Sequence, residues 1–193
     1  MEYTVSDLLK NCLALEEKAA AEYTRAKLIW AKDVIYDYRS RMKCSLNTCG
    51  HYGNNFMCPP KLEDVSFYRR MNESYRLAIL VQDQDDWHSP HYDEAMEKKF
   101  KEMSVASLKK LVKLENSAFG CGLPYALASA GGNCKLCDPC KARLGEPACA
   151  HPDLARPSME AMGIDIAATC SRAGLPADFL PGRLLVTGLL YLY

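Results

Sequence analysis

Seven of the ten cysteines in this chain fall in two ordered blocks, and nothing else in the sequence restricts its fold so tightly. The first block is Cys44-x4-Cys49-x8-Cys58, and Cys58 runs directly into Pro59-Pro60. The second is Cys134-x2-Cys137-x2-Cys140, with Cys149 following after eight residues. Three thiolates at consecutive x2 spacings can wrap one compact inorganic cube. Bacterial-type ferredoxin runs are arranged this way, with a Cys-Pro supplying the remaining ligand. The chain reads as an iron–sulfur protein.

A thiolate cluster site needs soft anionic ligands, a flexible loop and backbone N–H groups turned toward the sulfides. The second loop, Asn133–His151, follows Gly131-Gly132, contains Asp138-Pro139 and has few bulky residues. C-x2-C is also a zinc half-site, so Zn is the alternative metal. Zinc is usually satisfied by two well-separated pairs, and a third cysteine three residues on is surplus to it. Two [4Fe-4S] clusters with all-cysteine ligation take eight thiolates, and the two blocks supply seven.

Three groupings follow. Cys134, Cys137, Cys140 and Cys149 can share one cluster while Cys44, Cys49 and Cys58 hold another with a non-cysteine or open fourth position. Alternatively Cys58 crosses over to complete the Cys134/Cys137/Cys140 cube and leaves Cys149 to Cys44 and Cys49. In the third grouping Cys12, Cys121 or Cys170 is the eighth ligand. Those three have a plain packing explanation, since free cysteine is among the most buried residue types. His51 and His151 each lie two residues beyond a motif cysteine, where a ligand or a donor to one would stand, although a surface role is the simpler one. His88 and His91 flank a turn with no metal-ligand spacing.

The chain has 193 residues with Lys+Arg and Asp+Glu equal at 24 each. That balance argues against bulk binding to nucleic acid or an anionic membrane surface. The N-terminus shows neither the basic nor the apolar region of a secretory signal. No apolar run approaches the roughly 20 residues of a membrane span. A cytoplasmic location is the expectation, and many cysteines in a reducing compartment mean metal or redox chemistry. There is no hydrolase elbow, no G-x-G-x-x-G and no phosphate loop, so activity as an enzyme is left open.

Thr4-x-x-Asp7 is a capping-box start for an amphipathic helix over 5–22. Lys27–Ile35 is ambiguous between strand and helix. Residues 43–61 read as the first cysteine loop, 62–74 as a helix, and Arg76–Val81 as a buried strand, with Gln82–Pro90 a polar connection. Tyr92–Leu114 is a long helix whose mixed Lys/Glu stripe is a solvated face, or else a docking surface for an acidic partner. Tyr125–Ala130 is a strand leading into the second cysteine loop, 131–152. Arg156-Pro157-Ser158 opens a helix to about Arg172, closed by Gly174. Arg183–Tyr193 is the last strand. The expected architecture is one α/β or α+β domain over 1–193, in which a small sheet of about three or more strands carries helices and both loops.

The compound pattern Cys44-x4-Cys49-x2-Tyr52-Gly53-x4-Cys58-Pro59-Pro60, Gly131-Gly132-x-Cys134-x2-Cys137-x2-Cys140-x8-Cys149-x-His151-Pro152 and Arg156–Asp165 resembles one family closely. This is the cysteine-rich family catalogued as domain of unknown function 2284 and described as predicted metal-binding proteins. The resemblance spans about residues 30–190. It implies a cytoplasmic protein of mainly anaerobic bacteria and archaea that carries iron–sulfur, with the seven motif cysteines as ligand candidates. It also places Arg156–Asp165 beside the second loop, where Arg156 would neutralise cluster charge or bond a loop carbonyl, or else simply start a helix. The function expected is electron transfer by one or, preferably, two [4Fe-4S] clusters, with a redox partner protein. The rivals are an enzyme using an open-site cluster as Lewis acid and a zinc-binding structural or interaction module.

Overall fold

The computed structural model describes residues 4–87, 93–177 and 182–193, and these form a four-stranded sheet with order β1-β2-β4-β3 and helices on both faces. Every strand pairing is antiparallel. The mixed helix–sheet class read from the sequence therefore holds in its antiparallel form. No helix among the described residues is long and apolar enough to cross a membrane.

Helix α1 (Val5–Glu22) begins at Thr4, whose hydroxyl accepts from the Asp7 N–H while the Asp7 carboxylate accepts from the Thr4 N–H. This reciprocal cap satisfies two otherwise orphaned donors. The ambiguous segment after it resolves into strand β1 (Arg25–Trp30) and a single 3-10 turn at Ala31–Asp33. Strand β2 (Leu77–Asp86) lies between β1 and β4 (Arg183–Tyr191), and β3 (Leu127–Ala130) pairs with the other side of β4. Leu77, Ile79 and Val81 pack with Leu190, Leu192, α1 and α4 (Glu94–Gly120), whereas Ala78 and Leu80 pack with Leu189, Tyr191, Met159, Met162 and Ile164. Burial on both faces explains the unbroken apolar run at the start of β2.

Strand β2 continues past Val81 into the stretch expected to be a polar connection. Its later residues pair with β4, down to Asp86 opposite Arg183. Its carboxylates are met by the lysines of α4: Asp83 by Lys110 and Asp85 by Lys99, both at 2.7 Å. Lys113 reaches Glu22 at 3.7 Å and Lys101 reaches Asp138 at 2.7 Å. Much of the lysine stripe thus serves to hold α4 to its neighbours.

Two further elements differ from expectation. Helix α2 (Tyr38–Ser45), capped by Asp37, occupies a stretch with no apolar periodicity and carries Cys44 in its last turn. The helix expected from Arg156 starts only at Ile166. Residues 158–164 form turns held by isolated bridges, Ser158 to Ala130 and Ile164 to Tyr36. Gly163 at φ +89° cannot continue a right-handed helix, and a side chain there would meet Val65 at 2.5 Å. Asp165 then caps α5 (Ile166–Ala173) by accepting from the Ala168 N–H at 2.9 Å, and Gly174 at φ +68° ends it as expected. Helix α3 (Val65–Glu73), capped by Asp64, falls inside the span read for it. The first cysteine loop joins α2 to α3, and the second leaves the end of β3.

Candidate metal centre

The first loop is a chain of tight turns. Asn47 and the glycines Gly50 and Gly53 take positive φ, and the Gly53 N–H donates to the Pro59 carbonyl at 2.8 Å, folding the loop back before α3. Asn55, only 1 % exposed, accepts from the Met57 N–H through Oδ1 at 2.9 Å. Its Nδ2 donates to the Cys134 carbonyl at 2.9 Å. One buried amide therefore shapes the turn before Cys58 and ties the first loop to the second.

The second loop begins where β3 ends. Gly131 donates to the Thr187 carbonyl at 2.7 Å, and a Cβ at this position would stand 2.9 Å from that oxygen. Only glycine allows so close an approach. Gly132 follows at φ +75° and turns its N–H to the Glu160 carboxylate at 2.9 Å. After Cys140 a 3-10 turn (Lys141–Leu144) closes at the left-handed Gly145. The chain returns through Cys149, whose sulfur accepts from the His151 N–H at 3.4 Å. N–H···S bonds of this kind are what cluster thiolates require.

Arg156 fixes the end of this loop. Its guanidinium grips Glu115 on α4 through Nε at 2.8 Å and donates to the Asp153 and Ala155 carbonyls at 3.1 and 2.9 Å. Glu115 in turn accepts from the Ala128 N–H of β3 at 2.7 Å. Arg156 starts no helix; the carbonyls it bonds, those of Asp153 and Ala155, lie just beyond the loop as bounded from the sequence.

Burial and neighbouring thiols act on several of the motif cysteines. Cys58, 7 % exposed, is pushed up to about 12 first by burial and then by the fields of Cys44, Cys49, Glu160 and Cys134. Cys44 is raised by burial, Glu160 and Cys49, against which Arg41 acts. Cys134 is raised by burial, and Cys149, Cys140 and Cys137 add to this. Cys137 is raised by burial, Cys140 and Cys149, with Lys141 opposing. The two blocks come near one another: Cys58 lies in the fields of Cys44, Cys49 and Cys134, and Cys49 lines the same hollow as Cys134, Cys137 and Cys140. Burial and neighbouring thiols favour the protonated form of Cys44, Cys58, Cys134 and Cys137; a bound cation would offset both effects by replacing the protons. The donor set fits a thiolate-bound metal centre on that ground.

Between the loops lies a hollow of about 370 Å³, lined by Cys49, His51, Asn55, Lys135, Cys137 and Arg143 among others. Lys135, inside the C-x2-C-x2-C run, lies in the fields of Glu160, Cys134, Cys58 and Cys49, which counter the effect of burial in lowering its pKa. It is the cation set between the two thiol groups. His51 is pushed down by burial and by Lys135 and Arg143, which favours the neutral ring. Among the described residues no group of three or more His, Cys, Asp and Glu side chains closes on a point that could hold a single metal ion.

The remaining cysteines stand apart. Cys12 and Cys170 are wholly buried in the two apolar layers, and Cys121 ends α4. His88 and His91 lie outside the described residues. Asn55, Lys135, Glu160 and Glu115 were not singled out by the sequence pattern. Only the position of Lys135 within the cysteine run hinted at a role.

A family model described as predicted metal-binding protein (DUF2284) matches residues 27–192. No curated protein and no solved structure matches the chain. The chain belongs to the predicted metal-binding family DUF2284.

Proposed function

We propose that this member of a predicted metal-binding family is a single iron–sulfur domain that carries two [4Fe-4S] clusters and transfers electrons to a redox partner protein in a reducing, anaerobic cytoplasm. The observation that carries the reading is that cysteines of both blocks, Cys49 from the first and Cys134, Cys137 and Cys140 from the second, line one hollow. In this reading Cys134, Cys137, Cys140 and Cys149 hold one cluster, and Cys44, Cys49 and Cys58 anchor the second. When bound, such clusters supply one-electron chemistry at potentials set by burial, hydrogen bonds and nearby charge.

The surrounding residues suit that role. The His151 N–H already donates to a motif sulfur. Lys135 places positive charge between the two thiol groups, which favours the more negative, reduced state of either. Asn55 locks the two loops in register, so that the spacing of the two centres is fixed by the fold. Close and rigid spacing is what electron transfer between two centres needs.

The test is iron, sulfide and zinc content with an absorption spectrum, on protein purified without oxygen and read before and after dithionite. About eight irons and eight sulfides per chain, with a visible band that bleaches, are expected. One or two zinc ions and no colour would replace this reading by a zinc-binding structural or interaction module. A cluster spectrum that shifts when small anions are added would favour an enzyme, with Arg143, Lys101 and Lys135 around the hollow as the anion's contacts.

A further inference from the structure

Helix α2 buries none of its residues. Tyr38, Met42 and Leu46 recur along it at every fourth position and so form one stripe. They are 60, 62 and 70 % exposed. Tyr38 and Met42 border a groove of about 420 Å³, whose other walls include Tyr52 and Pro59 of the first cysteine loop and Val65 of α3. Pro59 follows Cys58 directly, so whatever fills the groove lies against the loop that carries the first block. An apolar stripe left in water adds nothing to the stability of the fold, and such patches mark contact surfaces.

Charge says what kind of surface would cover it. Residues 37–73 hold six cations against four carboxylates, and residues 133–145 of the second loop hold three against one, in a chain whose charges cancel. Several of these carboxylates are already engaged. Asp37 is gripped by Arg39, Asp64 accepts from the Ser66 hydroxyl and the Phe67 N–H, and Asp138 is met by Lys101. On α2 the helical spacing puts Arg39 and Lys43 along one side of the stripe and Arg41 along the other. Arg41 donates to the Leu62, Glu63 and Ala161 carbonyls, neutral acceptors that leave its charge in place. Those three bonds also pin α2, so the surface is preformed and little ordering is lost when a partner lands on it.

The lysines of α4 are the other basic stripe, but Asp83, Asp85, Glu22 and Asp138 meet them. A second copy of this chain is a poor occupant, because two-fold pairing would set the cations of α2 against one another. We propose that α2 and the groove beside it are the docking surface for an acidic electron-carrier protein. The partner seats an apolar centre on Tyr38, Met42 and Leu46 and rings it with carboxylates facing Lys43 and Lys61. This rests on the electron-transfer reading above and goes beyond it by giving the partner a place and a charge. The cations steer the encounter, and the apolar stripe supplies the contact once it is made.

The experiment uses the whole chain, purified without oxygen, its iron counted first, then reduced with dithionite and freed of the excess. Stopped-flow absorption follows one electron from the reduced chain to an acidic blue-copper protein, Cu(II) becoming Cu(I), or to a basic c-type cytochrome, Fe(III) becoming Fe(II). With the blue-copper protein the second-order rate constant should fall at least about tenfold as salt rises from about 20 to about 500 mM. At the lower salt, Lys43→Glu/Lys61→Glu should cost about tenfold with the blue-copper protein and nothing with the cytochrome. Met42→Ser/Leu46→Ser, at two exposed positions, should slow the blue-copper reaction several-fold at both salt concentrations. Lys10→Glu/Lys109→Glu makes the same change of charge at exposed sites of α1 and α4, which pack on the other face of the sheet, and should keep the wild-type rate.

An equal loss in this control pair, or wild-type rates in both α2 pairs, overturns the proposal and leaves the clusters standing. A dimer in analytical ultracentrifugation that Met42→Ser/Leu46→Ser dissolves would give the stripe to a second copy, and overturns it too. So would binding of a single-stranded oligonucleotide that Lys43→Glu/Lys61→Glu abolishes. Wild-type protein without iron would instead sink the electron-transfer reading, and this proposal with it.

Discussion

Replacing Arg156 with methionine isolates the forces that hold the second cysteine loop to the fold. The Arg156 and Glu115 side chains retain 16 % and 11 % of their exposure, and their closest contact is 2.5 Å. Removing one partner of a buried pair costs about 3–5 kcal/mol, mainly because the other charge stays buried without compensation. The residual exposure sets the expectation at the lower end, about 3 kcal/mol. The lost bonds to Asp153 and Ala155 add about 1 kcal/mol between them, since those carbonyls can turn to water. For a domain of this size, with a shift of about 2–4 °C per kcal/mol, the melting point should fall by about 8–16 °C. Thermal and urea unfolding of the metal-free variant measure this directly. The double variant Arg156→Met/Glu115→Gln should recover at least half of the loss, because Gln keeps an acceptor for the Ala128 N–H without a buried charge. A single variant within about 1 kcal/mol of wild type, or a double variant as unstable as the sum of the two singles, would refute the reasoning.

Cys137→Ala should lose colour and metal while keeping the fold, whereas Cys12→Ala, in the layer under α1, should keep the metal and lose only packing energy, about 1 kcal/mol; metal analysis of the two variants decides, and equal behaviour would sink the ligand assignment. Asn55→Leu removes the bond to the Cys134 carbonyl and the turn bond to Met57 together, and should destabilise the chain by about 2–3 kcal/mol and slow metal reconstitution, both read by denaturant titration and uptake kinetics. The metal-free protein should lose stability in alkali: Cys12 and Cys170 are raised by burial from 9.0 to about 11, so their contribution is complete below pH 9 and falls by up to about 1.4 kcal/mol per pH unit for each as the pH rises toward 11. A urea midpoint unchanged between pH 8 and pH 10.5 would contradict it. Chelation of the metal should open the loops to protease near Gly50 and Gly145 and leave the far-ultraviolet spectrum of the sheet and helices nearly intact.

What the sequence displayed was what local chemistry dictates. The Thr4 cap, the glycine end of α5 and the buried start of β2 were all readable because a cap, a left-handed turn and an apolar run each need particular residues at particular offsets. Helix α2 was hidden for the opposite reason. It buries no residue, so no periodic stripe marks it, and its position depends on Arg41 reaching carbonyls 21 to 120 residues away. The turns at 158–164 were mistaken for the beginning of a helix because Pro157 suits a first turn, while the residue that forbids the helix, Gly163, is made obligatory by Val65 across the fold. The cysteine spacings showed two blocks but left open which thiols share a centre. Where the chain runs after Cys149 is fixed in part by Arg156 bonding Glu115, 41 residues away in sequence, which no local pattern announces.

The distribution of the cysteines between core and loops also says how metal and fold are related. The apolar layers contain Cys12 and Cys170, and none of the seven motif cysteines belongs to either. The sheet and its helices are therefore held together by burial that requires no metal. The loops are the reverse. They carry thiols such as Cys58 and Cys134, whose pKa values burial raises and neighbouring thiols raise further, beside the half-buried Lys135. On the proposed function, a multivalent centre bound there would take the protons' place, and the free energy of its binding would go to ordering the loops rather than to forming the fold. Such a scaffold would then assemble, lose and regain its centres without unfolding. This division is what would make a loop variant such as Cys137→Ala interpretable as a change at the centre alone.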